Sequence, residues 1–318
     1  MKITCYLSTN TREQEIGRVL RSGFDRAGDD AKLALRSDFW AISEEHGEAT
    51  VDPEADVICF IGVKSKKMFD ACKAQDKIPL LIDKGYFGRG EMYRMSLGAY
   101  QPPYLDQIIA DLWDDPVMFR SRLEACGVRV QLHQNKGRHS VMYVGSSQKY
   151  CNFHELGDNN DYSRKVVTEL TGFWPHQIIY RPKPSWWTKM KSGERRDDLQ
   201  DIPRVSFSGS TEPFAQVLRQ CHAVVTHGSN GAAEALAAGV PVIMLSEEGV
   251  SSVWPLCSHS LADVLDINLP GANERERILA AMAWSQFSIP EMATGFAWRN
   301  LRHWWGKYEE ANPTRGSG

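Results

Sequence analysis

Short hydrophobic runs alternate along the chain with longer stretches in which apolar residues return every three or four positions. The first rhythm marks buried strands and the second amphipathic helices. Ile3 to Leu7 reads as a strand. Thr11 to Ala27 reads as a helix, with Ile16, Val19, Leu20 and Phe24 near helical spacing. Ala55 to Gly62 is a buried strand ending in glycine, Ser65 to Gln75 a helix, and Ile78 to Asp83 the next strand. Residues 126 to 139 are polar and basic without clear period and make the best linker. The alternation then restarts. Ser140 to Val144 is a strand running into Gly145-Ser146-Ser147, followed by a helix at Asp161 to Thr171. Gln177 to Pro182 and Val205 to Ser208 are strands, Glu212 to Cys221 a helix, and Ala223 to Thr226 a strand. Later helices cover about Asn273 to Gln286 and Gly295 to Glu309; the last holds Trp298, Trp304 and Trp305. Strands alternating with helices imply parallel sheets with right-handed crossovers.

The stretch from Val224 to Ile243 is the densest in signal. It reads as a buried strand, a tight polar turn, a small-residue helix and a second buried strand. Thr226 to Gly231 place a glycine-flanked turn at the amino end of that helix. The first N–H groups of a helix have no internal partner and sit at its positive end, so such a turn suits a phosphate or diphosphate. Glu234, about one turn in, is placed to accept hydrogen bonds from a ribose diol. Gly239-Val240-Pro241 stops the helix and opens the next strand. A plain strand–helix–strand with small residues for close packing accounts for the same pattern without a ligand.

Composition narrows the picture. The 318 residues suggest two domains, and 42% apolar with 24% charged residues is ordinary for a globular protein. A net charge of −3 supplies no global reason to bind nucleic acid. No run approaches the ~18 apolar residues of a membrane span, and the first residues are too short for a signal peptide. The seven cysteines are scattered with no Cys-x-x-Cys pair, which points to reduced thiols and a cytoplasmic location. No His, Asp and Glu cluster has metal-ligand spacing, so neither metal nor cofactor is expected.

His227-Gly228-Ser229-Asn230-Gly231, Glu234-Ala235-Leu236 and Gly239-Val240-Pro241 together resemble the donor-site signature of glycosyltransferases of the GT-B fold. Within that class, Arg181-Pro182-Lys183-Pro184 and the turn around Ser206-Phe207-Ser208 are most similar to capsular-polysaccharide-type transferases. Asp83-Lys84-Gly85-Tyr86-Phe87, followed by Tyr93-Arg94, is more loosely similar to compact glycosyltransferases of bacteriophage genomes. The resemblance implies an α/β protein of two Rossmann-like domains facing a cleft, with a C-terminal helix crossing back to the first. The boundaries expected are 1–130 for the acceptor domain, 131–292 for the donor domain and 293–318 for the returning helix. It implies a nucleotide-sugar substrate, UDP-linked, held by Gly145, Ser146, Arg181, Lys183, Ser208, Ser229, Asn230, Gly231 and Glu234. His227 would contact the donor sugar or phosphate and take part in catalysis without a metal.

The other half of the reaction rests on the first domain. Asp83 ends a buried strand just before a glycine-containing loop and is the leading catalytic base; Glu15 is a weaker alternative. Tyr86, Arg89 and Arg94, with Tyr93, are placed to stack on and clamp an acceptor. A hydroxymethylated pyrimidine in phage DNA and a growing polysaccharide both remain as acceptors. The phage-like first domain tips the reading to DNA, against the modest charge. Ser246-Glu247-Glu248-Gly249 departs from the acidic–Gln motif of plant and antibiotic glycosyltransferases, so their sugar specificity does not transfer. A nucleotide-sugar 2-epimerase, which shares this fold, and a non-catalytic module binding nucleic acid or glycan are the rival readings.

Overall fold

The computed structural model describes the chain except residues 47, 63–65, 89, 133–137, 184–198, 200, 210, 248 and 314–318. The chain divides into two compact units, Met1–Gly127 with Ala280–Gly318, and Val128–Leu279. The first unit begins β1 (Lys2–Leu7), α1 (Thr11–Arg26), β2 (Asp30–Leu35), α2 (Arg36–His46) and β3 (Val57–Ile61). It continues α3 (Lys66–Ala74), β4 (Ile78–Lys84), β5 (Met92–Leu97), α4 (Leu105–Leu112) and α5 (Pro116–Ala125). The second unit holds β6 (Ser140–Val144), α6 (Gln148–Phe153), α7 (Asn159–Phe173), β7 (Gln177–Arg181) and β8 (Val205–Phe207). It goes on through α8 (Phe214–Leu218), β9 (Cys221–Thr226), α9 (Gly231–Ala237) and β10 (Val242–Met244). The chain passes back within α10 (Ala272–Trp284) and finishes the first unit with β11 (Gln286–Ser288), α11 (Ile289–Ala293) and α12 (Phe296–Ala311).

The first sheet has the order β2-β1-β3-β4-β5-β11. β1 to β4 run parallel; β5 is antiparallel to β4, and β11 to β5. β3 is buried at every position, as its unbroken apolar run requires. α1 starts where Asn10 accepts from the N–H groups of Arg12 and Glu13, and buries Ile16, Leu20 and Phe24. Its face also carries Gly17, where a Cβ would strike the Leu7 side chain, so the missing side chain sets how closely α1 lies on β1. The Trp-rich tail packs on this unit. Trp298 is buried edge-on to Phe24, ring centres 5.0 Å apart, and donates its Nε1–H to Asp29 at 2.6 Å.

Three strands of this unit escape the sequence pattern, as do the helices α2, α4, α5 and α11. β2 mixes charged Asp30 and Lys32 with small and apolar residues and is mostly not buried at the sheet edge. β5 is buried but carries Arg94, which breaks the apolar run. β11 has only three residues. The return to the first unit also comes at residue 280, earlier than the expected 293, because Gln286–Ser288 leaves the helix and pairs with Met92–Arg94 of β5. The helix expected over Glu212 to Cys221 shrinks to α8, since Pro213 sits at its N-cap and Cys221 already opens β9.

The second sheet is parallel throughout, in the order β8-β7-β6-β9-β10. Its core gathers Val141 and Tyr143 of β6, Val166, Val167 and Leu170 of α7, and Ile178, Val225 and Ile243. All seven cysteines are free thiols. Burial pushes Cys72, Cys221 and Cys257 up to about 12, so these thiols are inert packing groups. Among the described residues no helix is long and apolar enough to cross a membrane.

An ion pair ties the start of the returning segment. Arg122 of α5 reaches Glu291 through two bonds of 2.6 and 3.1 Å, and its guanidinium lies 5.0 Å from the Trp284 ring and 5.1 Å from the Phe287 ring. Burial alone would raise the Glu291 carboxyl, but Arg122 and the Ser288 capping bonds outweigh it and hold it below its ordinary value. A depressed carboxyl stabilises the fold above its unfolded value of about 4.3 and loses that contribution as pH falls through the folded one. Glu291→Gln therefore costs about 1–3 kcal/mol near pH 7 and less near pH 3. Urea denaturation at the two pH values reads this directly, and an equal loss at both would contradict it.

Candidate functional site

The strand order of the second sheet runs outward in opposite directions from the pair β6 and β9. Ligands of open α/β sheets collect beyond the carboxyl ends of such a pair, where the two crossovers leave on opposite faces. Here those ends deliver Gly145-Ser146-Ser147 from β6 and His227-Gly228-Ser229-Asn230 from β9. Both segments of the expected donor site thus meet at the topological switch point.

The turn after β9 is built from its own side chains. The Thr226 hydroxyl donates to the Val144 carbonyl of β6 at 3.2 Å and accepts from the Ser229 N–H at 3.1 Å. Ser229 Oγ in turn accepts from the Gly231 N–H at 3.3 Å. The N–H groups of Ala232 and Ala233 bond the carbonyls of Ser229 and Asn230. Several N–H groups that an open helix start would offer to an anion are therefore already spent. α9 is also only seven residues long, with Asn230 at its N-cap making no side-chain cap bond.

A cation supplies what the helix end does not. Lys183, beyond β7, donates to Ser229 Oγ at 3.0 Å and so reaches the turn from the strand on the other side of β6. Arg181 goes elsewhere. It donates to Ser208 Oγ at 2.5 Å and the Glu212 carbonyl at 2.7 Å, with its guanidinium 5.4 Å from the Phe214 ring. Arg181 and Ser208 thus form their own pair beside β8, while Lys183, Ser229 and the turn form another group. Gly145 has a packing reason: a Cβ there would lie 2.9 Å from the Tyr180 ring. Ser146 is buried, and its carbonyl accepts from Asn159 Nδ2 at 3.3 Å. Glu234 is half-buried whereas every other residue of α9 is buried, so the carboxylate occupies that helix's open side.

His227 is 6% exposed and sits among rings. Its Nδ1 lies 2.6 Å from the Tyr162 hydroxyl, and the rings of Tyr150 and His154 lie 5.7 and 6.0 Å away. Gly228 lets the chain pass against Gly249, where a Cβ would strike the Gly249 backbone and the Tyr150 hydroxyl. Tyr150, His154 and Tyr162 carry no motif. The available sequence signal was weak: Tyr162 lies one helical turn before Val166, at the edge of the apolar face of α7. From behind, α9 is held by Arg275, which is fully buried and donates to Leu236 O at 2.6 Å, Gln131 O at 2.6 Å and Pro270 O at 2.9 Å. A cation at the carboxyl end of a short helix meets its unbonded carbonyls and its negative pole.

In the first unit, Asp83 closes β4 half-exposed, with Arg94 opposite it in register on β5 and 3.5 Å away. Arg94 and Tyr86 do not match their expected role as an acceptor clamp. Arg94 is 1% exposed and lies 5.3 and 5.2 Å from the Tyr86 and Tyr100 rings. Tyr86 is fully buried and donates to Gln101 at 2.5 Å. Burial alone would lower the Arg94 guanidinium, but the two tyrosines and Asp83 outweigh it and keep the cation charged. Both residues are packed inside the first unit. Arg89 lies outside the described residues. Tyr93 accepts from Arg12 at 2.7 Å. Glu15 is exposed on α1; it is Glu13 that turns inward, bonded to Ser8 Oγ at 2.5 Å and Arg36 at 2.8 Å.

No family model matches this chain, and no curated protein matches it. Solved structures do. The β-Kdo 2,4 transferase of KpsC from Thermosulfurimonas dismutans matches with a TM-score of 0.56 at 12% identity, covering 95% of this chain and 97% of that one. The β-Kdo 2,7 transferase of the same protein matches with a TM-score of 0.53 at 13% identity, covering 95% and 100%. The fold is GT-B. The structural likeness falls on the capsule-type side of the sequence resemblance. At such identity the likeness speaks for the fold, and the chemistry must come from the residues themselves.

Arg94→Met removes a buried guanidinium packed on the Tyr86 and Tyr100 rings and the partner of half-exposed Asp83, and costs roughly 1–3 kcal/mol of stability. Chemical denaturation of the variant measures it. A variant as stable as the wild type would return Arg94 to the list of ligand-facing residues.

Proposed function

We propose that this protein is a glycosyltransferase that moves a sugar from a nucleotide sugar to an acceptor hydroxyl. The observation that carries the reading is the bond from Lys183 to Ser229 Oγ, two residues beyond His227, at the switch point of the second sheet. A phosphate-linked leaving group placed there meets a cation, a hydroxyl and an imidazole. Lys183 would neutralise the charge that grows on the phosphate as the bond to the anomeric carbon breaks. Glu234, on the open side of α9, would accept from the ribose hydroxyls. The new bond forms between the anomeric carbon and the acceptor oxygen, the nucleotide leaves with the bonding electrons, and Asp83 takes the acceptor proton.

Of the two acceptors, a glycan is the better supported. Two structures that this chain resembles over nearly its whole length are Kdo transferases. The net charge of −3 gives no phosphate-binding field for DNA, and Arg94, one of the cations expected to meet an acceptor, is buried.

A thermal-shift panel of nucleoside mono- and diphosphates and nucleotide sugars tests the donor half. A ligand at about a hundred times its dissociation constant adds roughly 2.7 kcal/mol, and a panel without any stabilising nucleotide would sink the reading. Lys183→Ala should weaken the best nucleotide about tenfold or more, since a charged hydrogen bond contributes ~1.5–3 kcal/mol. Asp83→Asn should bind the donor normally and fail to transfer sugar. Turnover retained in that variant would remove Asp83 as the base. Isomerised donor in the absence of acceptor would instead identify an epimerase.

A further inference from the structure

We propose that Tyr162 is a positioning residue that fixes His227 as the tautomer with its proton on Nε2. The inference rests on the donor-site reading above and assigns the task of a residue outside every sequence motif. The contact is Tyr162 Oη to His227 Nδ1 at 2.6 Å. A phenol and an imidazole nitrogen this close share one proton, and the pairing decides which atom donates. Burial pushes the Tyr162 hydroxyl up to about 12, so it keeps its proton; among the described residues Nδ1 is its hydrogen-bond partner, so donating there uses that proton, whereas accepting would leave it unspent. Nδ1 then accepts. A neutral imidazole has one N–H, so the proton sits on Nε2.

The geometry is built rather than casual. α7 is pinned at its start by Asp158, whose carboxylate accepts from the N–H groups of Asn160 and Asp161. The residue after Tyr162, Ser163, bonds the Asn159 carbonyl at 2.6 Å, and Val166, Val167 and Leu170 anchor the helix in the core. The Tyr162 ring stands nearly perpendicular to the His227 ring at 81°, with centres 5.3 Å apart. Tyr150 and His154 close other sides of the imidazole. The ring therefore has little freedom to turn over and exchange its nitrogens. The consequence is chemical. Nε2–H is a donor suited to a phosphate oxygen, whereas the other tautomer would offer that oxygen a lone pair. Lys183 supplies charge to the turn, and His227 supplies a directed neutral donor.

The test uses the full chain with nitrogen-labelled histidine. Two-bond proton–nitrogen spectra near neutral pH report the tautomer of each imidazole, and His227→Gln assigns the signal. The wild type should show a neutral ring protonated on Nε2. Tyr162→Phe should show mixed tautomers at His227, and uridine diphosphate, or whichever panel nucleotide binds best, should bind about five- to tenfold more weakly. Lys183→Ala should weaken the nucleotide while leaving the His227 tautomer as in the wild type. A wild-type ring protonated on Nδ1 or on both nitrogens overturns the proposal, whether or not Tyr162→Phe folds. An unchanged tautomer in folded Tyr162→Phe overturns it too. A wild type with the expected tautomer that binds no nucleotide would instead overturn the donor-site reading, and with it the recipient we give the Nε2 proton.

Discussion

The hydroxyl of Thr226 donates to the last carbonyl of β6 and accepts from the Ser229 N–H, at 3.2 and 3.1 Å. A single buried oxygen thereby ties the two central strands of the second sheet to the turn that leaves one of them. Those strands are the pair about which the strand order reverses, so the chain on either side departs toward opposite faces. With the carboxyl ends clasped, Ser229 Oγ is held where Lys183 reaches it, and His227 projects toward α7 where Tyr162 receives it. Each contact is an ordinary hydrogen bond with a net contribution of about 1 kcal/mol. Their value lies in sharing atoms, so that a shift in one is felt by the rest.

Buried cations do comparable work elsewhere. Arg275 satisfies carbonyls at the end of α9, while Arg94 sits between tyrosines beneath Asp83. A guanidinium is suited to both places because its planar fork donates in several directions and its faces stack on rings. Burying one is costly unless its donors are used; Arg275 spends its donors on three carbonyls, while Arg94 leans on Asp83 and two rings and leaves its Nε without a hydrogen bond.

Much of the fold was legible because its signals are local. β1, β3, β4, β6, β7 and β9 are apolar runs, and the helices between them carry period and caps in adjacent residues. The strands that escaped were those whose pairing depends on a distant partner. β5 is a strand because β4 and β11 flank it, despite Arg94, and β11 is three residues that pair only where the chain returns. The same limit shaped the site. His227, Ser229 and Lys183 stood out as residue types near turns, but the N–H groups of the turn proved to be bonded internally, and Lys183 rather than Arg181 reaches Ser229.

By itself the sequence determined two α/β units, the strand–turn–helix from Val224 to Ile243 and the polar residues at its start, because periodicity, glycines and prolines act over a few neighbouring residues. Only the tertiary structure decided which of those polar groups meet. Tyr162 and His227 are 65 positions apart, Lys183 and Ser229 46. Such pairs form only when parallel strands of fixed order bring their carboxyl ends to one edge.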